Sequence, residues 1–299
     1  KLIIKENKKD IKYAIKKKLR DNLIKRLELN EKKISNIMKT IKNIIKLKDP
    51  TNIILKKWRR PNGLNISKIT TPIGVIGVIY ESRPNVTSDV ASLCFKSGNP
   101  VILKGGSEAF YTNKILSNFF RISLKKNKID QNFIQFVNIK NRKIVDILLT
   151  EMKKFVDIII PRGGKGLVKK IQSISTIPLI GHLEGLCHSY VDKDANPKKA
   201  NDIIHNAKLR NTAICGATET LLFHEKIIEK FGCSILNNLE KNGCKIIGDD
   251  KIRKIYKGKI KKATVKDWSK EYLSSTVSVK SVKNLNEAIK HINKYGTMH

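Results

Sequence analysis

Two rhythms of apolar and polar residues divide the chain. Through residues 1–48, Leu23, Leu27, Ile34, Ile37, Ile41, Ile44 and Ile45 recur at roughly helical spacing with lysines between many of them. That spacing predicts helices. Asp49-Pro50 stops the pattern, as expected of a proline that cannot continue a helix. Lys56–Arg60 and Leu64–Thr71 then read as two extended runs joined by Pro61-Asn62-Gly63. Asn-Gly between such runs predicts a β-hairpin.

From Pro72 short apolar runs alternate with amphipathic ones. Strands are predicted at 73–80, 100–103, 133–137, 156–160 and 177–180, and helices at 85–96, 108–124, 142–153 and 167–173. Continuous apolar strands separated by helices imply a parallel sheet covered on both faces, the nucleotide-binding class of α/β fold. After Asp192 the alternation starts again. A helix at 197–208, a strand at 220–223, a helix at 225–242, a strand at 245–247, a strand at 275–279 and a helix at 285–294 predict a second α/β domain. The basic stretch 251–262 predicts nothing definite, and neither an internal repeat nor a low-complexity linker is visible.

The 299 residues suffice for two domains, and 40% hydrophobic content supplies a core. No apolar stretch is long enough to cross a bilayer, and the lysine-rich start lacks a signal-peptide apolar segment. The chain begins at Lys1 rather than Met, so a preceding piece is expected. The five cysteines are Cys94, Cys187, Cys215, Cys233 and Cys244; their count is odd and no pair has CxxC spacing. A disulfide framework and a zinc site are therefore not expected, and a reducing cytoplasm is. Lys and Arg number 61 against 26 Asp and Glu, a formal charge of +35. The lysines are spread along the chain and aromatics are only 6%, which leaves few platforms for stacking bases. The charge reads better as a compositional bias toward Lys, Ile and Asn than as a nucleic-acid surface.

Candidate chemistry centres on Cys215, in the run Asn211–Thr220. A thiolate there would attack an acyl group, and a nicotinamide cofactor would reduce the thioester; Lys208 and Arg210 lie nearby in sequence to favour the thiolate. Taken alone, Cys215 reads better as a small buried apolar residue. Arg162-Gly163-Gly164-Lys165-Gly166 follows a strand and precedes a helix, where backbone N–H groups attract phosphate; a tight turn reads as well. Lys104-Gly105-Gly106-Ser107-Glu108 ends the second strand of the unit, where a ribose or its 2′-phosphate would lie; Lys104 reads equally as one surface lysine among many. Arg83 and Asn85 follow the first strand. Asn85 reads first as a helix cap, with its amide also able to face an oxyanion, and Arg83 either pairs with a phosphate or carboxylate or is simply exposed. His182, Glu184, Cys187 and His188 invite a metal reading, but no second ligand group completes a set, and a strand end lining the cleft is the better reading.

These segments together resemble the gamma-glutamyl phosphate reductase family of the aldehyde dehydrogenase superfamily. The matching runs are Pro72–Ala109, Asp157–Ile171, His182–Ala195, Asn206–His224 and Val282–His299. The YESRPNVT and SGNPVILKGGSEA motifs in the first of them are highly specific to this reductase. The resemblance implies an aldehyde dehydrogenase-like α/β fold, with a Rossmann-type cofactor domain and a second, incomplete catalytic domain. Residues 1–195 would bind NADP(H) and include an oligomerisation hairpin near 56–71; residues 196–299 would form the catalytic domain, cut short at its C-terminus, and a leading helix would also be missing. It implies Cys215 as nucleophile, Asn85 as oxyanion-hole asparagine, Lys104 and Glu108 beside the adenosine ribose, Gly163 and Gly164 near the dinucleotide, and Glu271 on the nicotinamide ribose. Arg83 would contact substrate.

The implied reaction is NADPH-dependent reduction of L-glutamyl 5-phosphate to L-glutamate 5-semialdehyde, a step of proline biosynthesis. A homo-oligomer and functional coupling to glutamate 5-kinase are implied as partners, with no nucleic acid, membrane or metal. Arg210-Asn211-Thr212 departs from the Gln-Arg-Pro common in the family, and Gly216 and Thr218 replace a common Asn and an apolar residue. Two alternatives stay open. One is oxidation of a free aldehyde with Glu184 or His182 as base; the other is a basic nucleic-acid-binding protein on a vestigial dehydrogenase fold.

Overall fold

In a computed structural model the chain divides into two compact units, Lys1–Gly181 and His182–His299. All residues are described except Arg20, Ser82, Arg142, His182, Leu183 and His299, together with the side chains of Asp21 and Asn22.

The first unit opens with α1 (Leu2–Lys16), α2 (Asp21–Leu27) and α3 (Glu31–Ile45). The sequence predicted helices here, and Asp10 and Asn7 fasten them to the rest of the unit. The Asp10 carboxylate accepts the backbone N–H groups of Tyr111 and Thr112 at 3.1 and 2.7 Å. A side chain from α1 thus takes up N–H groups that the first turn of α5 (Phe110–Lys126) leaves without helical partners. The hairpin β1 (Ile54–Arg59) and β2 (Asn65–Ile69) pairs antiparallel across Asn62-Gly63, with Gly63 at φ +87° as the turn requires.

The remaining elements of this unit build a parallel sheet. They are β3 (Ile76–Tyr80), α4 (Pro84–Lys96), β4 (Val101–Gly105), a 3₁₀ turn at Ser107–Ala109, α5, β5 (Ile134–Phe136), α6 (Lys143–Thr150), β6 (Ile158–Arg162) and α7 (Lys165–Ile174). Strand order is β5-β4-β3-β6. Val78 and Tyr80 pack into one core with Leu103 and Ala91, while Ile79 points the other way, to Ile159 and Leu149. Both sheet faces are therefore buried, which is why the strands read as unbroken apolar runs. The strand expected at 177–180 is reduced to a single bridge, Ile159↔Leu179. Pro178 has no N–H to give, so a ladder does not propagate there.

The second unit holds β7 (Cys187–Val191), α8 (Pro197–Leu209), β8 (Thr218–His224), α9 (Cys233–Lys241), β9 (Lys245–Gly248), α10 (Asp250–Ile255), β10 (Ile260–Lys262), β11 (Thr276–Val282) and α11 (Leu285–Tyr295). Its sheet runs β10-β9-β11-β8-β7, all parallel. Every residue of β8 is buried. Because β7 pairs with β8, residues 187–191 belong to this unit, ahead of the boundary expected after residue 195. The helix expected over 225–242 is broken into a 3₁₀ turn, a π-turn at Ile228–Gly232 and α9. The stretch that the sequence left undefined supplies α10 and the edge strand β10.

Candidate active site

In the first unit the chain moves from β3 outward through β4 to β5, then returns to the far side of β3 for β6. Such a reversal opens a crevice at the carboxyl end of β3, where open parallel sheets bind ligands. The segments leaving the sheet at that edge are Glu81–Asn85, Lys104–Glu108 and Gly163–Gly164.

Glu81 and the glycine turn are joined directly. The Gly164 N–H donates to Glu81 Oε2 at 2.8 Å. A Cβ on Gly163 would fall 2.7 Å from that same oxygen and 2.7 Å from Leu167 Cδ2, so a larger residue there would displace the Glu81 and Leu167 side chains. The N–H group that the sequence offered to a phosphate is thus bonded to a carboxylate of the protein.

Asn85 is not a helix cap. The cap position belongs to Arg83, an exposed residue, with Pro84 in the first turn. Proline is pre-organised for the first helical position and lacks an N–H that would go unpaired there, so the helix starts before Asn85. The Asn85 amide donates to Asp89 Oδ2 at 2.9 Å, and burial raises the Asp89 pKa against that hydrogen bond.

Lys104, the penultimate residue of β4, is buried, and its ammonium donates to the Gly105 carbonyl at 2.9 Å. Burial lowers its pKa while the nearby Glu108 charge raises it. Glu108 folds back over the backbone: a Cβ on Gly106 would meet Glu108 Oε1 at 2.2 Å. These groups suit a dinucleotide, since a buried ammonium and a carboxylate stand together at the edge where a ribose is read.

In the second unit Cys215 sits half-buried in the turn between α8 and β8. Gly185 packs against it so closely that a Cβ there would lie 2.3 Å from the Cys215 carbonyl oxygen and 2.7 Å from Cys215 Cβ. Cys187 Sγ donates to the Cys215 carbonyl at 3.3 Å. Burial, followed by the charges of Cys215, Glu219 and Glu271, raises the Cys187 pKa and keeps it a thiol. Glu271 Oε1 accepts the Gly185 N–H at 3.0 Å, which brings the predicted ribose-binding residue to the predicted nucleophile through one glycine. All five cysteines are free.

Lys208 does not serve as an exposed positive charge beside the thiol. It is fully buried and ion-paired to Glu219 at 2.7 Å. Glu219 carries no motif, and its one signal in the sequence is a glutamate set among the apolar residues of a strand. His188 Nδ1 contacts the Leu186 carbonyl at 2.9 Å, and burial lowers its pKa. His182 lies outside the described residues. Among the described residues no three His, Cys, Asp or Glu side chains converge as a metal ion would need. No helix among them is long and apolar enough to cross a membrane.

Two parallel α/β units, one with a crevice at a strand reversal and one with a cysteine turn, match the aldehyde dehydrogenase family, whose profile covers residues 2–278, and the chain belongs to that family of nicotinamide-dependent oxidoreductases. Its relatives are more particular. It is 45% identical to the gamma-glutamyl phosphate reductase of Nautilia profundicola, over 100% of this chain and 72% of that one. It is 42% identical to the gamma-glutamyl phosphate reductase of a Clostridium botulinum strain, over 99% and 71%. The crystal structure of gamma-glutamyl phosphate reductase from Thermotoga maritima superposes with a TM-score of 0.94 at 38% identity, covering 100% of this chain and 72% of that one.

Proposed function

We propose that the protein reduces L-glutamyl 5-phosphate to L-glutamate 5-semialdehyde with NADPH, releasing phosphate, in proline biosynthesis. The identity to gamma-glutamyl phosphate reductases supports the substrate. The observation that carries the chemistry is the half-buried Cys215 thiol in a turn whose backbone is held by Gly185 and Cys187.

In this reading the Cys215 sulfur, as thiolate, attacks the acyl carbon. The carbon–oxygen bond to phosphate breaks, inorganic phosphate leaves, and a thioester forms on Cys215. The Cys215 backbone N–H would hold the oxyanion, and Asn85, whose amide has a second N–H beyond the one given to Asp89, would be the oxyanion-hole asparagine. NADPH, when bound, supplies hydride. The thioester carbon gains that hydride, the resulting hemithioacetal loses its carbon–sulfur bond, and the aldehyde departs as the thiolate is restored. Lys104 and Glu108 would bind the adenosine ribose and its phosphate, Gly163 and Gly164 would approach the dinucleotide, Glu271 would hold the nicotinamide ribose, and Arg83 would contact the substrate. The unit Lys1–Gly181 is then the NADP(H)-binding domain and the other unit carries the nucleophile. We further propose a cytoplasmic homo-oligomer, with the hairpin at 56–71 as its arm, working beside the glutamate 5-kinase that makes the acyl phosphate.

The test is the reverse reaction, reduction of NADP+ by glutamate 5-semialdehyde. The expected rate depends on added phosphate and falls about a thousandfold or more in Cys215→Ala. Phosphate-independent oxidation of the aldehyde, or full turnover by Cys215→Ala, would overturn the proposal.

A further inference from the structure

Lys208 lies near the end of α8 and Glu219 near the start of β8, so the two bracket the turn that carries Cys215. Their side chains are 0% and 1% exposed, and Nζ and Oε2 are 2.7 Å apart. Glu219 is bound on both oxygens, because Oε1 accepts the backbone N–H of Leu273 at 3.0 Å. Leu273 has φ +48°, a conformation that a leucine holds only where its surroundings fix it. Two residues before it is Glu271, which accepts the Gly185 N–H at 3.0 Å. Gly185 in turn abuts Cys215, with a Cβ position 2.7 Å from Cys215 Cβ. The contacts form a closed circuit: Lys208, Glu219, Leu273, Glu271, Gly185, Cys215 and back through the turn to Lys208.

A buried ion pair is a poor way to gain stability. Removing two charges from water is costly, and well-packed apolar residues of similar size often serve a core as well or better. What the pair provides is a fixed carboxylate at a fixed depth. Held by Lys208, it faces the backbone N–H groups of Tyr272 and Leu273.

We propose that Lys208 and Glu219 are positioning residues for the Cys215 thiol: the pair fixes the base of its turn and, through the Leu273 N–H, sets the Glu271 segment that presses Gly185 against it. This rests on the reading of Cys215 as nucleophile. Neither residue touches the reacting atoms. Their influence passes through backbone geometry, so their loss changes turnover and thiol reactivity most, and NADPH affinity only as far as the Glu271 segment moves.

Two double variants test the proposal. K208M/E219L replaces the pair by apolar side chains and removes the acceptor for Leu273. K208M/E219Q removes both charges but keeps a side-chain carbonyl for that N–H. The readouts are thermal stability, turnover, NADPH affinity and the rate of Cys215 alkylation by iodoacetamide, followed by mass spectrometry. K208M/E219L is expected to unfold within a few degrees of the unmodified protein, weaken NADPH binding by no more than about threefold, lose about thirtyfold in turnover and alter the alkylation rate about fivefold, since small misplacements of a reacting group are costly. K208M/E219Q is expected to recover about tenfold of the lost turnover. Unmodified turnover and alkylation in K208M/E219L, or identical values in the two variants, overturns the proposal. Should K208M/E219L not fold, hydrogen exchange at the Leu273 amide decides. Protection like that of β8 supports the latch, and exchange as fast as an exposed loop overturns it. Cys215→Ala, run alongside, separates the two ideas: if it keeps turnover, the nucleophile reading fails, while alkylation and exchange still report on the clamp.

Discussion

The Glu81 carboxylate holds the Gly164 backbone N–H at 2.8 Å, tying the end of β3 to the first turn of the helix that follows β6. An amide at a helix N-terminus attracts anions, and here the anion is the protein's own side chain. The carboxylate therefore sets the shape of the glycine turn.

Glu81→Ala releases that turn. A hydrogen bond of this kind is worth about 1 kcal/mol, or roughly fivefold in an equilibrium constant. NADPH affinity, measured by quenching of protein fluorescence or by calorimetry, is expected to weaken by about that factor. Glu81→Gln keeps an acceptor oxygen and is expected to stay within about twofold. Equal affinities in both variants and the unmodified protein would show that the turn does not depend on Glu81.

Gly185→Ala forces a Cβ to within 2.3 Å of the Cys215 carbonyl oxygen. The clash is with backbone, so no side-chain rotation relieves it, and the nucleophile turn must shift. Turnover is expected to fall about a hundredfold, and NADPH affinity by much less, through the Gly185–Glu271 contact alone. Steady-state kinetics and a binding titration on the same sample check both halves.

Lys104→Met removes the buried ammonium at the end of β4 while keeping the length of the side chain. If Lys104 reads the 2′-phosphate, NADPH affinity falls at least about tenfold, near 1.4 kcal/mol, and NADH affinity does not change. A parallel loss for both cofactors would mean that Lys104 supports the strand end alone.

His291 predicts a pH dependence of stability. It is buried against His188, Trp268 and Tyr295, with Nε2 lacking a hydrogen-bond partner. Burial, then the charges of Lys280, His188 and Lys294, pushes its pKa down to about 3. The folded state thus prefers the neutral ring, and the unfolded chain takes a proton near pH 6.5. The favourable contribution is complete above about pH 6.5 and is lost as pH falls toward 3, by at most about 1.4 kcal/mol per pH unit. Urea unfolding at pH 7, 6 and 5 is expected to show His291→Phe losing less stability on acidification than the unmodified protein. Parallel profiles would refute the assignment.

The strand–helix alternation, the hairpin at Asn62-Gly63, the helical start and the cysteine turn are all visible in the linear chain. Periodicity and turn chemistry are local properties, and the parallel strands, buried on both faces, are apolar throughout. What only the tertiary structure decided depends on distant partners. Pro178 reads as part of a strand until its missing N–H meets β6. The edge strand at 187–191 mixes polar with apolar residues and becomes recognisable only against β8. Lys208 reads as a charge near the thiol, and folding turns it inward to Glu219. Asn85 yields the cap to Arg83 because Pro84 starts the helix. Gly164 looks open to a phosphate, but Glu81, remote in sequence, supplies its anion. Sequence patterns fix which faces are buried; which polar group answers which is set when the chain closes on itself, because a buried donor or charge left without a partner is costly.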